Sequence, residues 1–116
     1  MNTKKRNHIV MKTLDIVLKR EWYDMIDSGV KKEEYRDIKP YWIRRLTDLK
    51  SDFIPFSYRE GYQTIPFKDF THVLFHRAYT STTMLFSING MSVGIGNSSW
   101  GAPDKEVFII KLGERL

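Results

Sequence analysis

Residues 29–36 read Gly-Val-Lys-Lys-Glu-Glu-Tyr-Arg, two acids, three bases and a tyrosine gathered behind one glycine. Laid out as an extended strand, Lys32, Glu34 and Arg36 project to one face, and Glu33 and Tyr35 to the other. A carboxylate flanked by Lys and Arg on one face stays ionised and can hold the guanidinium in place. Such a trio can orient an incoming base and phosphate. It is also the composition of a solvated edge strand that resists aggregation, and the residue types alone leave both readings open.

Other spacings suggest chemistry that their context withdraws. Gly90-Met-Ser92-Val-Gly94 matches the G-x-S-x-G elbow of serine hydrolases, but all three histidines precede that serine. The elbow needs a helix behind the serine and a histidine later in the chain. His72 and His76 have the i, i+4 spacing that binds zinc on a helix. Their segment reads as a strand, where four residues span about 13 Å, too far for two imidazoles to share one ion. No metal and no cofactor is called for. Asn97-Ser98-Ser99 is a formal glycosylation acceptor in a chain that shows no secretory leader. Tyr41, Trp42, Tyr62, Tyr79 and Trp100 are candidate stacking platforms for unpaired bases, each set against the ordinary fate of an aromatic in a core. Trp100 lies between Asn97-Ser-Ser and Gly101-Ala-Pro103, a loop that either exposes the ring or plugs one end of a barrel.

The elements that position these residues follow from pattern. Residues 11–18 (MKTLDIVL) alternate, with Leu14, Ile16 and Leu18 on one face of a strand. From Lys19 to Ser28 the period changes, and Trp22, Met25 and Ile26 form one stripe of a short helix that Gly29 stops in the left-handed conformation. Pro40 opens a second helix, with Trp42, Leu46 and Leu49 on one face and an end near Lys50. The stretch 51–70 holds six aromatics (Phe53, Phe56, Tyr58, Tyr62, Phe67 and Phe70) with Pro55, Gly61 and Pro66. It is too long for a structureless loop, so its rings are expected to anchor it. Strands follow over 71–79 and 81–88, then Asn89-Gly90 predicts a type I′ hairpin turn into a return strand over 91–95. Residues 106–112 (EVFIIKL) make a final strand. Strands outnumber helices, which predicts an α+β, mainly β fold: one small mixed β-barrel domain over 11–116 with two helices.

Composition bounds the rest. The chain has 116 residues, 41% of them hydrophobic, enough for one core and one domain. Its lack of cysteine excludes a disulfide scaffold and any thiolate metal site. No apolar run reaches the roughly 18 residues of a spanning helix. The basic stretch 1–10 (MNTKKRNHIV) has no apolar run behind its charges, so it reads as a flexible tail and not a secretory signal, and a cytoplasmic location is expected. The net charge of +5 sits wholly in residues 1–50, with thirteen Lys/Arg against eight Asp/Glu, while residues 51–116 hold six of each. A basic half points to an anionic partner, nucleic acid first.

The pattern G-x-K-x-x-E-x-R over 29–36, directly behind a short helix containing Trp22, resembles the signature of the ASCH (activating-signal-cointegrator homology) domain, within the PUA-like superfamily. Leu14 to Leu18 with Glu21-Trp22-Tyr23 resembles that family's opening strand and helix. Asp37 to Trp42, Val73 to Tyr79, the Gly94/Gly96/Trp100-Gly101 loop and Phe108 to Gly113 resemble a small bacterial and phage-type subgroup. Together these cover most of residues 11–114. The resemblance implies a PUA-like β-barrel with helices packed at its mouth, and a cleft for RNA or a nucleoside-like ligand lined by Lys31, Glu34 and Arg36. Some ASCH proteins are amidohydrolases that deacylate N4-acetylcytidine with a lysine, a threonine and a glutamate. Lys31 matches the lysine, but Glu34 stands where the threonine would be and offers no hydroxyl nucleophile, which argues against that reaction here.

The leading expectation is a nucleic-acid-binding module preferring RNA or single strands. In it Lys31, Lys32 and Arg36 meet phosphate or a base edge, Glu34 accepts from a base amino group, and Tyr79 or Trp100 stacks. The enzymatic alternative is a small hydrolase of a modified nucleoside or of RNA, using Lys31 as base and Glu34 as acid. A third reading is an interaction module that docks a partner or a second copy through the aromatic stretch 51–70. Whether the chain is catalytic, its natural ligand and its oligomeric state are left open by the residues.

Overall fold

The alternation of Leu14, Ile16 and Leu18 folds as a strand. In a computed structural model that describes residues 10–116, Thr13–Leu18 forms β1, with those three side chains buried and the intervening ones exposed. The basic tail expected over 1–10 lies, except for Val10, outside the described residues. Helix α1, Arg20–Asp27, buries Tyr23 and Ile26 in the core and leaves Trp22 and Met25 half-buried, so its apolar stripe is rotated from the one expected. Gly29 takes the positive φ that the stop requires (+85°), and the amides of Val30 and Lys31 both donate to the Met25 carbonyl at 3.0 Å. This tight return delivers the chain into β2, Glu33–Arg36.

Pro40 opens helix α2, Pro40–Leu46, which buries Ile43 and Leu46. It ends short of the expected Lys50 because Thr47 turns extended and bridges to Phe67. The buried Thr47 hydroxyl donates to the Ile43 carbonyl (2.7 Å) and accepts from the Leu49 amide (3.1 Å), so it satisfies backbone groups that the helix end frees. The stretch 51–70 is anchored as expected. A single turn, α3 (Phe56–Arg59), follows Pro55, Ile54 is buried, and Tyr58, Ile65, Phe67 and Phe70 pack against the core.

Strands β3 (His72–Arg77), β4 (Thr83–Ile95) and β5 (Glu106–Arg115) complete one sheet in the order β1-β3-β4-β5-β2. β1 runs parallel to β3 and the other pairings are antiparallel. The hairpin expected at Asn89-Gly90 is absent, since β4 runs straight through both residues. Its first part pairs with β3 from Thr83 to Ser87, and its remainder pairs with β5, with register irregularities between Phe86 and Gly90. Gly90, at φ +145°, serves a bulge and not a turn. The sequence signal reports only a need for positive φ, which a bend inside a long strand also creates. The actual hairpin is earlier, where the Arg77 amide donates to the Thr82 carbonyl and Ala78 takes φ +49°.

The result is α+β and mainly β: among the described residues, a five-stranded sheet curled into a half-barrel with three helices. Its core joins Leu14, Ile16, Val73, Phe75, Phe86, Phe108 and Ile110 of the strands to Tyr23, Ile26, Ile43 and Leu46 of the helices. No helix of the described residues is long and apolar enough to cross a membrane. The half-barrel leaves β1 and β2 as its two free edges, and the site lies between them.

Candidate ligand cleft between the sheet edges

At the two ends of β1 the carbonyls of Lys12, just before the strand, and of Leu18 accept from the amides of Thr71 and Ala78 on the β3 side. Strand alternation therefore turns the Asp15 and Val17 carbonyls toward the free edge. Two guanidiniums take them: Arg36 donates from Nη2 to Val17 O at 3.2 Å, and Arg45 from Nη2 to Asp15 O at 3.2 Å. Arg36 comes from the opposite edge, so its side chain spans the gap between β1 and β2. The space so enclosed is a cleft of about 680 Å³.

Its floor is an ionic triad in the wall of the half-barrel. Lys31 and Glu34 are buried, with side chains 1% and 7% exposed, and Lys31 Nζ lies 3.3 Å from Glu34 Oε1. The other carboxylate oxygen accepts from Arg36 Nη2 at 2.8 Å. Lys31 also donates to the Trp100 carbonyl at 2.6 Å and stands 4.6 Å from the centroid of the Tyr35 ring and 5.6 Å from that of Trp22. Burial pulls the lysine's pKa below its ordinary value, and the Glu34 charge opposes that shift. Tyr35 is pushed up to about 12, chiefly by burial; its hydroxyl donates to Glu33 at 2.8 Å and accepts from the Asn97 amide at 3.0 Å.

The loop after β4 is shaped to reach these groups. A 3-10 turn, Ser98–Trp100, is capped by the Asn97 side chain, and Gly101 follows at φ +94°. A methyl group on Gly101 would stand 2.9 Å from the Trp22 ring, and one on Gly96 would stand 2.6 Å from Tyr35. Only glycine lets this loop lie against both rings and bring the Trp100 carbonyl to Lys31.

The second wall comes from α2. The Arg36 and Arg45 guanidiniums lie 5.0 and 5.1 Å from the Trp42 ring centroid, and Tyr41 meets Trp42 edge-on at 5.0 Å. Arg45 also lies 5.8 Å from the Tyr41 ring.

Of the residues singled out in the sequence, Lys31, Glu34, Arg36, Tyr41, Trp42, Tyr79 and Trp100 all line the cleft. Tyr79 is a rim residue, 96% exposed. Trp100 is half-buried, and its backbone carbonyl makes the closest contact with the triad. Two expectations need correction. Lys32 does not share a face with Glu34 inside the site; it is exposed and absent from the lining. The strand begins only at Glu33, and the return after Gly29 brings Lys31, three residues before Glu34, into the place that strict alternation gave to Lys32. Tyr62 belongs to the surface of the 51–70 stretch, 76% exposed and outside the cleft. Trp22, Tyr35 and Arg45 were not expected in the site. For Arg45 a signal existed, since it follows Tyr41 and Trp42 by four and three residues on one helix.

His76 Nε2 lies 2.9 Å from Asp15 Oδ1, and His72 Nδ1 lies 2.7 Å from the Thr71 hydroxyl. Ser92 is exposed in mid-strand with β4 continuing through it, so no elbow forms.

Fold and site together define a small half-barrel protein with a cationic, ring-lined cleft at its open seam. The chain matches no protein-family model, no curated protein and no solved structure.

Proposed function

We propose that this is a cytoplasmic nucleic-acid-binding module of the ASCH type, with a PUA-like barrel, that takes RNA or a single strand by admitting one unstacked base to the cleft. The observation that carries this reading is the convergence of Lys31, Glu34 and Arg36 on one concave space walled by Trp22, Tyr35 and Trp42. Single-strand recognition uses this combination of exposed base edges, aromatic or guanidinium planes for stacking, and cations for the backbone. An ionised carboxylate has about four acceptor positions. Glu34 therefore keeps capacity for a base amino group beside Lys31 and Arg36. Arg36 offers its plane for stacking, Tyr79 and Trp100 flank the opening, and the exposed Lys32 is left for the phosphate backbone.

The test is a titration of short RNA against wild type and Lys31→Met at two salt concentrations, with circular dichroism as the control for folding. Binding by wild type should weaken with salt at a log–log slope of about 0.7 per phosphate contact, and the variant should bind more weakly. Equal binding by both proteins, or none at low salt, removes the reading.

A second reading, a hydrolase acting on a modified nucleoside, is favoured by one observation: burial lowers the pKa of Lys31 toward the range of a working base. Glu34, held between Lys31 and Arg36, is poorly placed to serve as the acid. Incubation with acylated cytidines and labelled RNA separates the two readings, because turnover abolished by Glu34→Gln favours the enzyme.

A further inference from the structure

The cleft carries more positive charge than its own acids balance. Lys19, Lys31, Arg36 and Arg45 line it against Asp15 and Glu34. Glu34 is committed to Lys31 and Arg36, and Asp15 faces His76. The formal excess is two positive charges.

Among the described residues Lys19 and Arg45 are the cleft cations with no carboxylate partner, and Arg45 is the one that side-chain hydrogen bonds hold in position. Arg44, Arg59, Arg77 and Arg115 each meet a carboxylate. Arg45 is held instead by neutral groups, the Asp15 carbonyl at 3.2 Å, the Tyr41 hydroxyl at 3.3 Å and the two rings of α2. Among the described residues no carboxylate pairs with it. A guanidinium has five N–H donors. Two are engaged here, so the fork is fixed in position with donors to spare. Deeper in the same wall, Arg36 Nε is buried with no hydrogen-bond partner among the described residues, a donor that a bound acceptor would satisfy.

A phosphodiester inside a strand carries one negative charge. A phosphomonoester carries about −1.5 to −2 at neutral pH and presents three acceptor oxygens. The second matches both the charge excess and the available donors. We infer that the cleft recognises a nucleotide through a phosphomonoester seated on Arg45, with its base toward the Lys31–Glu34–Arg36 floor. This rests on the reading of the cleft as a base-binding site and adds what the base must carry. The same chemistry is offered by a free mononucleotide and by the phosphorylated end of a strand.

Calorimetric titration of the full chain tests it, using each of the four ribonucleosides and its 5′-monophosphate, and one short RNA with and without a 5′-terminal phosphate. For at least one base, the monophosphate should bind wild type about tenfold or more tightly than its nucleoside, the scale of a charge-assisted hydrogen bond. In Arg45→Gln that ratio should fall to about twofold, and Arg45→Lys, which keeps the charge but loses the fork, should lie between. A gain confined to mononucleotides identifies a free nucleotide as ligand, and an equal gain on the RNA identifies a strand end. If nucleosides or RNA bind but phosphate adds nothing, or if the ratio survives in Arg45→Gln, this inference falls while the base-binding reading stands. Should none of the probes bind, both fall.

Discussion

The cleft between β1 and β2 and the stretch 51–70 are both crowded with rings, yet they use them differently. In 51–70 the rings either pack on the core, as Tyr58, Phe67 and Phe70 do, or stand in solvent, as Phe53, Phe56 and Tyr62 do. Its ion pairs among the described residues, Arg44 with Asp52, Arg59 with Glu106 and Lys12 with Asp69, all have both partners well exposed to water. In the cleft four of the six rings, Trp22, Tyr35, Tyr41 and Trp42, stand against a cation, and the pair beneath them is taken out of water. Cation–π contacts are worth about 0.5–1 kcal/mol when exposed and about 2 or more when desolvated. The number of aromatics thus says little about function. What separates the two regions is whether charge has been buried among the rings at a cost that folding alone does not require.

The largest expected effect follows from that cost. Glu34→Leu leaves the Lys31 ammonium buried with the Trp100 carbonyl and two rings but without its carboxylate. Removing one partner of a buried pair destabilises by about 3–5 kcal/mol. Denaturant unfolding should show a loss of that order, and the double variant Lys31→Met/Glu34→Leu should recover most of it. Arg59→Ala, which breaks an exposed pair, should change stability by no more than about 1 kcal/mol. Equal losses for Glu34→Leu and Arg59→Ala would erase the distinction between the regions.

A smaller loss is expected where the loop meets the floor. Gly101→Ala places a methyl 2.9 Å from Trp22 and forces a side chain into φ +94°. Strain of this kind costs about 1–3 kcal/mol. Because Trp22 and the Trp100 carbonyl both contact Lys31, the same variant should also weaken RNA binding. A destabilised Gly101→Ala that binds as wild type does would mean that the loop has no part in the site.

The floor should also show itself in the pH dependence of stability, with two opposite signs. The folded pKa of Lys31 lies below that of the unfolded chain, so between these values the unfolded state binds more protons and stability rises with pH. Tyr35 is raised from 10.0 to about 12, so its contribution is fully present below pH 10 and is lost as pH climbs through 12. Urea midpoints followed from neutral pH to pH 12 should rise less steeply in Lys31→Met than in wild type and fall less steeply above pH 10 in Tyr35→Phe. Unchanged slopes in both variants would mean that neither group is desolvated as described.

Much of this was legible in the sequence because local rules and tertiary packing agree. The alternation at 14, 16 and 18, the stop at Gly29, the opening of α2 at Pro40 and the strand of Val107 to Ile110 all hold in the fold. The convergence of Lys31, Glu34 and Arg36 came from the G-x-K-x-x-E-x-R pattern and not from alternation, which placed Lys32 there. Asn89-Gly90 misled because a bulge and a hairpin turn ask the same φ of glycine, and only strand pairing tells them apart. For Arg45 the helical spacing from Tyr41 and Trp42 reveals the ring contacts, but not its hold on the unpaired Asp15 carbonyl of β1, thirty residues away, which is what places it in the cleft.

The smallest expected effect belongs to the other region. Phe56 is 69% exposed and meets Tyr62 at 6.2 Å with a tilt of 38°. Substitution of an exposed side chain away from caps, strained backbone and buried groups stays within about 0.5 kcal/mol. Phe56→Ala should therefore shift the unfolding midpoint little and leave RNA affinity unchanged, while Trp42→Ala, which removes the ring that two guanidiniums contact, should lower that affinity. Size-exclusion chromatography of the same variant adds a separate check. If wild type self-associates and Phe56→Ala does not, the exposed rings of 51–70 form an interface of their own. If Phe56→Ala also lowers RNA affinity in the monomer, ligand contact extends well beyond the cleft, and charge burial is no longer what tells the two regions apart.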